Sequence, residues 1–301
     1  MAKILVGTAS WADNALVQSG LFYPPGMTDA TEILKFYAER FPVVEVDSSY
    51  YAMPSERNSK LWAERSPDGF VFDVKAFALL TTHCTDATRL PKAIKELLPG
   101  RTAEKQRIYP REVPEKAMDL AWQMFDGALR PLHDSGKLGA VFFQFPKWFP
   151  LDRKNKAYIE ECRKRLPDYR IAVEFRQSSW MSERNVEETA NFLEGNGLAY
   201  TAVDEPQGFE SSVQPVNPVT SDDLAVVRFH GRNSATWESV GLTSAERFNY
   251  LYNDSELEEW VPRIRQMADQ VREVHVLFNN NYSNYAQKNA LRMKSLLGTR
   301  E

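Results

Sequence analysis

An α/β fold, a closed (β/α)8 barrel in one domain over residues 1–301, is predicted by three features of the sequence. Eight short apolar runs of strand length recur along the chain, and helical patterns lie between most of them. No Gly-x-Gly-x-x-Gly follows any strand, as a doubly wound dinucleotide-binding sheet would require; the first strand ends Gly7-Thr8-Ala9-Ser10-Trp11 instead. Eight βα units in 301 residues suit a barrel of about 250 residues plus insertions.

The strands are expected at Ile4–Ser10, Val43–Tyr50, Phe70–Phe77, Leu138–Phe145, Arg170–Arg176, Ala199–Asp204, Leu224–His230 and Glu273–Asn279. Most are rich in Val, Ile and Phe, as strands covered on both faces should be. The first helix, Thr31–Arg40, places Ile33, Leu34, Phe36 and Tyr37 at helical spacing. Ser55 reads as the N-cap of a helix running to about Arg65, with Leu61 and Trp62 on its buried side. Met118–Asp134, Asn155–Leu166, Asn185–Glu194, Ser255–Arg272 and Tyr285–Leu297 continue the series, and Ser255 with Glu258 reads as a capping box. About 60 residues separate strands three and four, which predicts a long insertion at about 80–117. Glu205–Asp223, rich in Pro and Ser, is an irregular connection between strands six and seven.

With 43% hydrophobic and 26% charged residues, the composition is that of a chain with a substantial core. A net charge of −4 gives no global drive toward nucleic acid or anionic membrane. No apolar run is long enough to span a bilayer, so no membrane partner is expected. The opening residues lead straight into a strand without the apolar core and cleavage site of a signal peptide. With only Cys84 and Cys162 as thiols, the expected location is the cytoplasm.

Barrel chemistry sits at the C-terminal strand ends, and the polar census there is dense. Strand two offers Glu45 and Asp47, strand three Asp73 and Lys75, and strand four Gln144. Strand five offers Glu174 and Arg176, strand six Asp204, strand seven Arg228 and His230, and strand eight Asn279. Two-residue spacing puts Glu45 with Asp47, Asp73 with Lys75, Glu174 with Arg176, and Arg228 with His230 on common faces. Closing a barrel gathers these ends. The result is either a self-satisfied ionic network or a binding and catalytic pocket, and the pocket is the sharper reading.

The common retaining-glycosidase layout, with carboxylates on strands four and seven, is absent: those strands end in Gln144 and in Arg228 and His230. The four histidines are too few for a His-rich metal site, so no cofactor is predicted; a divalent metal held mostly by carboxylates is the alternative. His133 and His275 fall in a helix and a strand body. Lys75 is better placed for ion pairing than for a Schiff base, because carboxylates beside it keep it charged. Arg176, Arg228 and Lys75 form an anion clamp, Glu174 and Asp204 are the acid/base candidates, and His230 is the proton shuttle. Glu45, Asp47, Gln144, Asn279, Tyr50, Trp11 and Trp180 complete the candidate substrate-binding set. Within the insertion, Lys105, Arg107 and Arg111 form a basic stretch that is either a solvated face or a nucleic-acid contact.

A series of motifs runs in order along essentially the whole chain: Gly7–Trp11, Phe22-Tyr23-Pro24, Tyr37–Phe41, Val44–Tyr51, Phe72–Lys75 and Phe143–Pro146. Ala172–Arg176 with Ser179-Trp180, Arg228–Gly231 and Phe278-Asn279-Asn280 complete it. Together these motifs resemble the YecE-like family, domain of unknown function 72. The resemblance implies a TIM-type barrel and supplies no activity; a likeness to apurinic endonucleases and sugar-phosphate isomerases is one of fold alone. The segment Leu98–Glu115 is longer than is common in that family. Residues and resemblance together lead to one expectation: an enzyme of hydrolase or lyase type acting on a small phosphorylated or carboxylated, sugar-like substrate. A nucleic-acid-binding protein or nuclease, and a barrel whose polar ring is structural, are the competing readings.

Overall fold

The eight apolar runs pair edge to edge, all in parallel, so that none is left with an open edge. In the computed structural model, which describes residues 2–299, the strands are β1 (Lys3–Ala9), β2 (Val43–Val46), β3 (Val71–Lys75) and β4 (Leu138–Phe145). They continue with β5 (Ile171–Phe175), β6 (Ala199–Asp204), β7 (Leu224–Phe229) and β8 (Glu273–Phe278). Their order around the ring is the order of the chain, with β8 closing on β1. This is a TIM-type barrel.

Among the described residues, seven helices of eight residues or more flank the strands: α1 (Ala30–Ala38), α2 (Glu56–Arg65), α3 (Glu115–Asp134), α4 (Arg153–Arg165), α5 (Val186–Gly195), α6 (Val261–Ala268) and α7 (Tyr285–Leu297). Asp29, Ser55 and Asp152 cap α1, α2 and α4 by accepting backbone N–H bonds. No helix follows β6, and residues 205–223 run as irregular chain. The segment after β3 builds short helical turns and a two-stranded antiparallel ribbon, Thr85–Asp86 with Arg107–Ile108.

The expected helix over Ser255–Arg272 is instead two pieces, Asp254–Glu258 and α6, with Pro262 in the first turn of the second. The capping box also lies two residues earlier. Asn253 accepts from the Glu256 N–H, and the Glu256 carboxylate accepts from the Asn253 N–H.

Inside the barrel, Leu5, Val43, Val71, Phe142, Ala172, Leu224, Val226 and Leu277 form a separate apolar layer. A buried ion pair is set among them: Asp73 of β3 and His275 of β8, with His275 Nδ1 at 2.8 Å from Asp73 Oδ2. Gly139 makes room for it, since a Cβ there would collide with Asp73 Oδ1 and Val71. Asp73 therefore serves the barrel body rather than its mouth. Burial opposes protonation of His275, but the Asp73 carboxylate overrides it and pushes the imidazole up to about 9. A raised histidine adds stability that is fully present below its unfolded value of about 6.5 and is lost as pH climbs through its folded one. Urea titrations should therefore show the wild type losing on the order of 3 kcal/mol between pH 7 and pH 10 relative to His275→Gln. Parallel pH profiles for the two proteins would refute the charged pair.

Candidate active site

The polar strand ends meet at the C-terminal mouth of the barrel, in two levels. The lower level is buried. Arg228 of β7, 1% exposed, donates from Nε to Glu45 Oε2 at 2.9 Å and from Nη2 to Glu45 Oε1 at 2.7 Å, a bidentate fork. Its Nη1 donates to Glu174 Oε2. The other oxygen of Glu174 accepts from Gln144 Nε2 at 2.6 Å and from His230 Nε2 at 3.0 Å. Asn279 Nδ2 donates to His230 Nδ1 at 3.0 Å, so that nitrogen carries no proton and Nε2 does.

Burial disfavours the Glu174 charge, but Arg228, His230 and Arg176 outweigh it and hold the carboxyl well below the usual range. Burial pushes Glu45 up to about 7 against the pull of Arg228, and pushes His230 down to about 4 despite Glu174. His230 is thus neutral, a fixed donor to Glu174.

The upper level lines a cleft of about 580 Å³. Its floor includes Asp47, Lys75, Gln144, Arg176 and Asn279. Lys75 Nζ donates to Asp47 Oδ1 at 2.8 Å and lies 4.8 Å from the centre of the Tyr50 ring. Burial works against both charges, yet each partner outweighs it, raising the Lys75 pKa and lowering that of Asp47. Arg176 Nη1 lies 3.5 Å from Glu174 and 3.3 Å from Glu205, and its guanidinium sits 4.3 Å above the Trp237 ring. The walls are aromatic, with Tyr50, Tyr51, His83, Trp148, Trp237 and Phe248, and Lys147 and Arg247 also line them.

Several sequence-predicted residues stand elsewhere. Asp204 faces out of the barrel: Ala199 belongs to the interior layer, so residue 204, on the opposite parity of β6, meets the helices. There it accepts from Tyr252 Oη and Trp260 Nε1, both at 2.7 Å, and from Arg232 Nε at 2.9 Å. Its neighbour Glu205 turns inward and takes the place expected of it. Burial pushes the Glu205 carboxyl up to about 8 despite Arg176. No alternation marked that parity in the sequence, since Ala199–Asp204 is apolar on both faces and buried throughout.

Trp11 also leaves the mouth. Ser10 adopts φ 67°, the chain turns outward, and Trp11 packs edge-on against Trp62 and Phe72. Trp180 stacks on Phe175 at 4.1 Å outside the barrel and donates to the Phe149 carbonyl. Arg228 belongs to the lower level, with every guanidinium nitrogen engaged, which takes it out of the expected three-cation clamp.

Strand two ends at Val46 rather than Tyr50. Ser48–Tyr51 is a helical turn, and that turn carries Tyr50 over Lys75. Arg247 lines the cleft from the end of a short helix, Ser244–Arg247, with no sequence signal to mark it. Of the basic insertion residues, Lys105 pairs with Glu112, and Arg111 lies 5.1 Å from the Tyr109 ring. Arg107 is exposed on the ribbon.

Among the described residues, no three His, Cys, Asp or Glu side chains are grouped to hold a metal ion. Among them too, no helix is long and apolar enough to cross a membrane.

Residues 5–301 match the family model described as "Protein of unknown function DUF72". The UPF0759 protein YunF of Bacillus subtilis (strain 168) is 34% identical over 297 residues, which are 98% of this chain and 94% of that protein. A DUF72 family protein of Thermotoga maritima MSB8 superposes with a TM-score of 0.76 at 30% identity, covering 98% of this chain and 99% of its own. One from Enterococcus faecalis V583 gives 0.76 at 27%, covering 100% and 99%. The chain belongs to the DUF72 family.

Proposed function

We propose that the cleft is the active site of an enzyme of hydrolase or lyase type, acting by acid/base chemistry on a small sugar-like substrate that carries a phosphate or carboxylate. The observation that carries this reading is the contrast between two arginines. Arg228 spends Nε, Nη1 and Nη2 on Glu45 and Glu174. Arg176 lines the cleft, makes ion pairs only at 3.3 and 3.5 Å, and donates no side-chain hydrogen bond among the described residues. An oriented guanidinium fork with unspent donors, backed by an indole, suits an anionic group.

Asp47 is the proton acceptor. Lys75 keeps it ionised, 22% of its side chain is exposed, and Oδ2 makes no hydrogen bond among the described residues. Lys75 supplies the adjacent positive charge. Trp148, 59% exposed at the mouth, and Tyr50 offer flat faces to a sugar ring. Glu174 and His230 are positioning residues that hold Gln144, Arg176 and Asn279 from below.

A panel of sugar phosphates and sugar acids, screened for binding and for turnover, tests the reading. Asp47→Asn should lower kcat on any active member by about 100-fold or more while leaving binding in place. A panel in which nothing binds would defeat the proposal.

A further inference from the structure

We propose that His83 is a specificity residue of this cleft, whose bare Nε2 accepts a hydrogen bond from a hydroxyl of the bound substrate, and so selects hydroxylated anions over simple ones. The inference rests on the reading of Arg176 as the anion ligand. His83 follows β3 and lines the cleft wall, its ring held edge-to-face by Tyr50 at 5.2 Å and Trp148 at 5.4 Å.

Its tautomer follows from its neighbours. The Thr81 hydroxyl donates to the Ala78 carbonyl at 3.1 Å, which leaves its oxygen as the acceptor for His83 Nδ1 at 2.9 Å. Nδ1 therefore carries the proton and Nε2 the lone pair. Among the described residues nothing hydrogen-bonds to Nε2.

Burial, reinforced by Lys75 and Arg176, pushes this imidazole down to about 3, so it stays neutral. So weak a base accepts a hydrogen bond without removing the proton. Arg176 and Lys75 at the floor take the anion, and His83 on the wall takes a hydroxyl. Together they describe a hydroxylated anion such as a sugar phosphate or sugar acid.

The test compares glucose 6-phosphate with methyl phosphate on the full-length protein by calorimetry, and reads the imidazole nitrogens by 15N NMR. The wild type should show Nδ1–H with unprotonated Nε2 at pH 7. His83→Phe, which keeps an aromatic wall, should weaken glucose 6-phosphate about five- to tenfold and leave methyl phosphate unchanged. An Nε2–H tautomer, an imidazolium at pH 7, or an unaltered preference in His83→Phe would overturn the inference while the Arg176 reading stands. Wild-type protein that binds neither probe would overturn both.

Discussion

Arg228→Met is expected to destabilise the barrel by about 3–5 kcal/mol, the cost of leaving buried charges without their partner. Glu45 is 0% exposed and Glu174 1%, and Arg228 donates to both. Removing it leaves two carboxyls facing one another with no cation between them. Glu45, already pushed up to about 7, will take a proton, whereas Glu174 retains Gln144 and His230 as donors and stays a poorly compensated anion. Adding Glu45→Gln and Glu174→Gln to Arg228→Met should restore part of the loss, because neutral amides need no counter-charge. Guanidinium denaturation of the three proteins measures this. An Arg228→Met midpoint equal to that of the wild type would show that the lower level is not an interlocked network.

Arg176→Met, two residues along from Glu174, should behave in the opposite way. Stability should stay within about 1 kcal/mol of wild type, while affinity for an anionic ligand falls by about ten- to a hundredfold, the worth of one or two charge-assisted hydrogen bonds. Arg176 is 17% exposed on its side chain, which donates no hydrogen bond among the described residues. Glu174 keeps its other three donors without it. Burial pushes Glu205 up to about 8, so it gives up its charge readily once Arg176 is gone. Phosphate titrations alongside denaturation separate the two effects. If Arg176→Met unfolded as readily as Arg228→Met, the upper level would be part of the scaffold, and the structural reading of the polar ring would prevail.

Much of this was legible from residue order. Alternating apolar runs and helical patterns specify eight βα units, because a strand buried on both faces and a helix buried on one leave different periodicities. The Pro- and Ser-rich stretch after β6 declared that it would not be a helix. Misplacements came where chain direction changes within one or two residues. Ser10 at φ 67° sends Trp11 outward, and the turn at Ser48–Tyr51 swings Tyr50 inward. Parity at a strand end turns Asp204 outward and brings Glu205, which was not expected at the mouth, inward.

By itself the sequence determined the barrel and the set of charged groups at its mouth, since both follow from local pattern and from the convergence that closure imposes. Only the tertiary structure decided which cation is spent and which is available. Arg228 lies within β7 and Arg176 one residue past the end of β5, yet the two look alike in sequence. What differs is depth: one lies among carboxylates in a medium with no water to compete, the other at the floor of an open cleft. Exposure and pairing depend on contacts across the ring, between residues as far apart in the chain as Glu45 and Arg228, and no local pattern encodes them.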